Sequence, residues 1–178
     1  MALDGAAAWR TYTRMCTVET ALGFDFLSQF VGRNVTEADV EPVTWAVIQR
    51  GRSLSAMEHA SDIDALRHLS RAVATDLDPY DIFITPTLTH LPRPLGFYDM
   101  SMTDLDAYNG LWTDAAFMFP FNFSGQPAIS LPLAQSKDGI PIGVQLVGRY
   151  GDEATVLAAS TQLEQAMPWK DRRPAISA

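Results

Sequence analysis

The sequence predicts an α/β fold in which a mixed β-sheet is covered by helices and the N-terminal part is helical. Three observations carry that prediction. Apolar residues recur at helical spacing through 6–31 and again through 63–77, the 3.6-residue signature of one buried helix face. Two stretches, 129–133 and 142–146, alternate apolar with small or polar residues, as a half-buried strand does. Ile82-Phe83-Ile84 is a short, wholly apolar run of the kind buried on both faces of a sheet. At 178 residues one domain, 1–178, can bury a real core. Within it, 1–79 is mainly helical, 80–167 carries the strands and helices of the sheet region, and 168–178 is a polar tail.

The first helix is expected over 6–31, with Tyr12, Met15, Leu22, Phe26 and Phe30 inward and Arg10, Arg14 and Glu19 in water. Gly32 ends it, since glycine adopts the left-handed C′ conformation without a Cβ clash. Cys16 lies on or near the apolar face and has no visible base to activate its thiol, so it reads as a core residue. Thr36-Glu37-Ala38-Asp39 reads as a cap and a single turn. Pro42 lacks the N–H that a continuing helix needs, so a new helix starts with Pro42 in its first turn and turns Trp45, Ile48 and Leu54 inward. Gly51-Arg52-Ser53 bends or divides the stretch before a third helix. There Ile63, Leu66, Leu69, Val73 and Leu77 form the stripe, and Asp62, Asp64, Arg67 and Arg71 supply surface charge. Asp78-Pro79 closes the helical region.

After the apolar run, Thr85-Pro86-Thr87 ends a strand and Leu91-Pro92-Arg93-Pro94-Leu95-Gly96 crosses as a loop. Ser101-Met102-Thr103-Asp104 offers a hydroxyl cap for a short helix at Leu105. From Leu111 to Phe123 the chain is densely aromatic, which reads either as core or as an apolar pocket oriented by Asn122 and Gln126. Asn122 to Ala128 reads as a loop. Ile129, Leu131 and Leu133 then share a strand face, and Pro132 argues for an edge or a bulge. Lys137-Asp138-Gly139 is a turn, and Ile142, Val144 and Leu146 resume the alternation. The last helix, 152–167, is capped by Asp152 and buries Val156, Ala159, Leu163 and Ala166.

The formal net charge of −8 disfavours nucleic acid and anionic membranes as partners, because both encounters would be repulsive. A single cysteine suits a reducing compartment. Met1-Ala2-Leu3-Asp4-Gly5 has no basic leader region, and no apolar run approaches the ~20 residues of a membrane span. The expected location is cytoplasmic. His59, His68 and His90 lack the spacing of metal ligands on one helix face, and no cofactor or metal is predicted. No pattern supports independent chemistry by these histidines, Cys16 or the acidic residues.

The run N-F-S-G-Q-P-A-I-S-L-P at 122–132, then D-G-x-P-x-G-V-Q-L-V-G and a helix opening D-E-A-T, resembles the C-terminal signature region of the amidase signature family. Tyr80-Asp81-Ile82-Phe83-Ile84-Thr85-Pro86-Thr87 is similar to that family's Y-D-hydrophobic-T-P-T strand, so the resemblance covers most of 80–166. Val35 to Trp45 resembles most the branch that includes 6-aminohexanoate-cyclic-dimer hydrolases. The family hydrolyses amides with a Ser–cis-Ser–Lys triad set in a Gly-Ser-rich stretch. Nothing here reads G-G-S-S-G-G, and Lys137 and Lys170 do not match the family's lysine. The resemblance therefore implies the C-terminal portion of an amidase, with no catalytic residue in this chain. Phe119, Asn122, Phe123, Ser124, Gly125 and Gln126 would lie in a substrate-cleft wall. The partners implied are a small-molecule amide in the intact enzyme and a missing N-terminal catalytic portion. A homodimer or a tendency to aggregate is also expected, with Trp112, Phe117 or Phe119 at or near the contact. The alternative is a non-catalytic interaction or dimerisation module derived from an amidase.

Overall fold

The Asp4 carboxylate accepts from the Ala7 N–H at 3.0 Å and opens helix α1, Gly5–Val31, which ends where Gly32 turns left-handed at φ 74° and donates to the Ser28 carbonyl. The computed structural model describes residues 4–173, so the expectations placed on Met1-Ala2-Leu3 and on the last five residues of the tail lie outside the described residues. The chain divides into two compact units. The first takes the residues up to Arg71 together with Pro92–Asp114, and the second takes Ala72–Leu91 together with Ala115 onward.

In the first unit, α1 is followed by a single 3-10 turn, Glu37–Asp39, and by α2, Pro42–Ser53, with its proline in the first turn as expected. Asp39 closes a capping box with Thr36 and accepts a two-pronged grip from Arg33 at 2.8 Å on each prong. That guanidinium, then the Thr36 bonds, hold its carboxyl well below the usual range. The inner face of α1 differs from the expectation. Its buried residues are Ala8, Thr17 and Ala21, whereas Phe26 and Phe30 are 70% and 81% exposed. Small residues win because α2 approaches too closely for large ones: a Cβ on Gly51 would lie 2.1 Å from the Thr17 carbonyl oxygen. The apolar stripe Leu22, Phe26 and Phe30 of α1 is left exposed among the described residues.

Helix α3, Ala56–Leu77, starts in a reciprocal Ser55–Glu58 cap. Asp62, expected among the surface charges, is buried beside Arg14, whose Nε stands 3.1 Å away. Burial of the carboxylate without that cation would be costly, and Arg14 stands beside it with its own side chain 40% exposed. Helix α4, Leu105–Leu111, is capped by the Asp104 carboxylate rather than by a hydroxyl. Its Leu105 and Tyr108 pack with Val43 into a small core. The loop before α4 is clamped where Arg93 grips Asp114 at 2.7 and 2.8 Å and the Tyr98 hydroxyl donates to the same carboxylate at 3.1 Å.

The second unit holds the strands β1, Ile82–Pro86, β2, Ala128–Gln135, and β3, Pro141–Gly148, with the helices α5, Phe119–Ser124, and α6, Glu153–Ala166. The sheet runs β1-β3-β2, and both pairings are antiparallel. Pro132 sits in a register shift between Leu131 and Ala134 on an edge strand, where its missing N–H is harmless. One face is covered by α6, whose Asp152 cap and Val156 press on Gly148 so closely that a Cβ there would lie 2.6 Å from Val156 Cγ2. Leu131 and Leu146 are buried as expected, Ile129 and Val144 only half so, and Val147 is also buried. The reading of β1 as buried on both faces is corrected. It is the other edge strand, and Ile84 is 61% exposed. Composition marks a strand suited to burial, but among the described residues Ile84 is left exposed.

Candidate functional site

The stretch from Asn122 was expected to enter the sheet as a loop; Asn122 to Ser124 instead complete the short helix α5. Pro120 lies in the first turn of α5, and Gly125 ends it at φ 74°, donating to the Phe121 carbonyl at 3.0 Å. A side chain at 125 would be strained by that φ and would also meet the Tyr150 ring at 3.4 Å. Phe119 and Phe121 are buried, Phe119 stacks obliquely on Phe123 at 5.8 Å, and Phe121 meets Phe83 of β1 at 6.4 Å. The short helix thus lays aromatic rings on the sheet face opposite α6. Phe117 just ahead of it keeps 37% of its surface exposed. Because Phe119 is buried, it offers little ring to a second copy.

Two buried glutamines tie this wall to the central strand. Gln126 accepts from the Ser124 hydroxyl and donates to the Gly148 carbonyl, both at 3.1 Å, while the Gly148 N–H donates to Pro127 at 2.9 Å. The turn after α5 is therefore pinned to the end of β3 from both sides. Gln145, in the middle of β3, donates to Thr85 Oγ1 at 3.0 Å and to the Phe117 carbonyl at 2.9 Å. Beside it the Thr87 and Ser130 hydroxyls bond each other at 2.6 Å. They can do so because Gly143 lies beneath them: a Cβ there would be 2.6 and 2.7 Å from the two oxygens. This face of the sheet is neutral and rich in hydrogen-bonding groups.

Of the six residues expected in a cleft wall, Phe119, Ser124 and Gln126 are buried, Phe123 is half-buried, and Asn122 and Gly125 are exposed. Ser124 and Gln126 are engaged with each other. The Asn122 carboxamide has no partner among the described residues. Sequence reasoning missed Gln145, Thr85, Thr87 and Ser130. The signal for Gln145 was available: it is a carboxamide in an otherwise apolar strand, and such a group must be hydrogen-bonded once buried. The recorded partners of these hydroxyls are hydroxyls, carboxamides and carbonyls. These groups can position an uncharged polar group. Among the described residues no three His, Cys, Asp or Glu side chains form a metal-holding group, and no helix is long and apolar enough to cross a membrane.

The family model described as Amidase matches residues 1–157. The 6-aminohexanoate-cyclic-dimer hydrolases of Paenarthrobacter ureafaciens and of Pseudomonas sp. strain NK87 are 36% and 37% identical over 97% of this chain. The chain spans only 36% of the length of either relative. The solved structure of 6-aminohexanoate cyclic dimer hydrolase superposes with a TM-score of 0.88 over 94% of the chain, at 36% identity. A bacterial aryl acylamidase of the amidase signature family shares the fold at 21% identity, with a TM-score of 0.72.

Proposed function

The chain belongs to the amidase signature family, and from that premise we propose that it is the C-terminal portion of an enzyme that hydrolyses a carboxamide C–N bond. Amide hydrolysis is the chemistry of its relatives. In this reading the serine–serine–lysine centre lies on a part of the fold outside this sequence, and the chain contributes scaffold and one wall of the substrate cleft. The observation that carries the reading is the 36% identity across 97% of the chain together with a span of 36% of the relative. The site's character agrees with it. A neutral wall of aromatic rings, with the free Asn122 carboxamide beside them, suits an uncharged amide, whose apolar flanks pack on rings and whose C=O and N–H need single polar partners. Phe119, Asn122, Phe123 and Gly125 would face or shape the cleft, with Ser124 and Gln126 holding the turn from behind. The exposed edge of β1, with Phe83 and Ile84 uncovered, is where the rest of the sheet would continue.

A second reading, a non-catalytic module that associates through apolar surface, draws on the exposed stripe Leu22, Phe26 and Phe30 of α1. Activity assays on the purified chain separate neither reading alone but test their common ground. Both expect no turnover of simple aryl or alkyl amides, and turnover that survives removal of host amidases would overturn both. Sedimentation separates them: a clean monomer at micromolar concentration removes the second reading.

A further inference from the structure

Five of the eleven arginines are paired with a carboxylate: Arg14 with Asp62, Arg33 with Asp39, Arg52 with Asp25, Arg93 with Asp114 and Arg149 with Asp81. Arg10 and Arg50 are not. Among the described residues neither guanidinium has an ion-pair or hydrogen-bond partner. Both are exposed and line one half-open cavity of about 230 Å³ in the first unit, bounded by α1, α2 and α4. Arg10, Thr13 and Arg14 reach it from one face of α1, where the spacings i, i+3 and i+4 bring side chains together. Arg50 comes from the last turn of α2, and Asp106 and Asn109 come from α4. Arg14 is already paired with Asp62, so the uncompensated charge in the lining is that of Arg10 and Arg50, set against Asp106 alone.

In a chain of net charge −8, a concave site that gathers positive charge without balancing it is poorly explained as a solubility device. We propose that this cavity is a binding site for a small oxyanion, a carboxylate or a phosphate group, gripped by the forks of Arg10 and Arg50. The chemistry follows from the donors. Guanidinium presents parallel N–H groups that match two oxygens of one carboxylate or phosphate, and it binds them more strongly than a neutral donor would. The Asn109 carboxamide adds a neutral donor. The volume lies below the ~300 Å³ at which pockets for drug-sized ligands begin, which fits a headgroup or a short acid. The site is independent of the proposed amide wall, which is built from residues of the second unit.

The test uses the full 178-residue chain, isotopically labelled, titrated separately with inorganic phosphate and with acetate at constant ionic strength while the arginine side-chain N–H resonances are followed. Saturable shifts at Arg10 and Arg50 are expected with at least one of the two anions. Response to phosphate alone assigns the site to phosphate esters, and response to acetate alone assigns it to free carboxylic acids. The double variant R10Q/R50Q should weaken the response by roughly tenfold or more, and R10K/R50K, which keeps the charge but loses the forks, should fall between. Resonances outside the cavity report that either variant is folded. Shifts that never saturate and appear equally at the exposed Arg67 would overturn the proposal. So would unchanged affinity in R10Q/R50Q or, if that variant unfolds, in R10K/R50K.

Discussion

Replacing Gln145 by Leu keeps a side chain of similar reach in the centre of the sheet and removes both bonds made by its amide. The Phe117 carbonyl loses a donor at 2.9 Å and Thr85 Oγ1 loses one at 3.0 Å. At 5% exposure Gln145 leaves no route by which water replaces it in place. A carbonyl left without a donor costs about 1–3 kcal/mol, toward the lower end here because Phe117 is partly exposed, and the Thr85 hydroxyl loses about 1 kcal/mol more. The added apolar burial of leucine returns about 1 kcal/mol. The balance is a destabilisation of about 1 kcal/mol, confined to the second unit. Tryptophan fluorescence is a poor reporter because three of the four tryptophans, Trp9, Trp45 and Trp112, belong to the first unit, and Trp169 lies beyond α6 rather than on the sheet. Amide exchange of Val144, Leu146 and Val147 in β3 reads the change directly. A Thr85→Val change alone should cost about 1 kcal/mol, and the double variant should show coupling of about 0.5–1 kcal/mol. Loss below about 0.5 kcal/mol in Gln145→Leu would refute the idea that this glutamine pins the aromatic segment to the sheet.

Leu146→Ala, at a position 1% exposed, should cost about 2–5 kcal/mol by the same exchange measurement, and a loss under about 1 kcal/mol would mean the covered face is loosely packed. Gly51→Ala should destabilise the first unit by about 1–3 kcal/mol in a urea melt, because its Cβ would stand 2.1 Å from a backbone carbonyl that cannot yield. Tyr98 should titrate above the ordinary tyrosine range, chiefly because its hydroxyl is desolvated and then because it donates to Asp114. Since the folded state favours the neutral phenol, this contribution is fully present below the unfolded pKa near 10 and is lost as pH rises through the folded one. Ultraviolet titration checks the shift, which Asp114→Asn should reduce.

Local signals carried much of the fold. Gly32, Pro42 and Asp152 mark helix ends through rules that act within one turn, and each does so in the structure. The three strands lie where the period-two and apolar runs placed them, and Pro132 on its edge strand follows from a missing N–H. Two features were illegible for a common reason. The α1 stripe Leu22, Phe26 and Phe30 and the apolar β1 run both look like buried faces, but whether a face is covered depends on residues far away in the sequence, which local spacing does not report. Helix α5 escaped because six residues are too few to show a helical period, and F-P-F-N-F imitates alternation. Its Pro120 and Gly125 were the usable clues. The ties of Gln126 and Gln145 are tertiary, so spacing alone could mark these residues as buried polar groups but could not name their partners.

The central claim is that this chain is a working C-terminal portion of an amide hydrolase, and a chimera tests it most directly. The matching third of the 6-aminohexanoate-cyclic-dimer hydrolase of Paenarthrobacter ureafaciens, which is 36% of that relative, would be replaced by this chain and the purified chimera assayed for amide hydrolysis. Hydrolysis well above that of either portion alone is the predicted result. A chimera that folds cooperatively, buries the β1 edge against exchange and still leaves amides intact would contradict it.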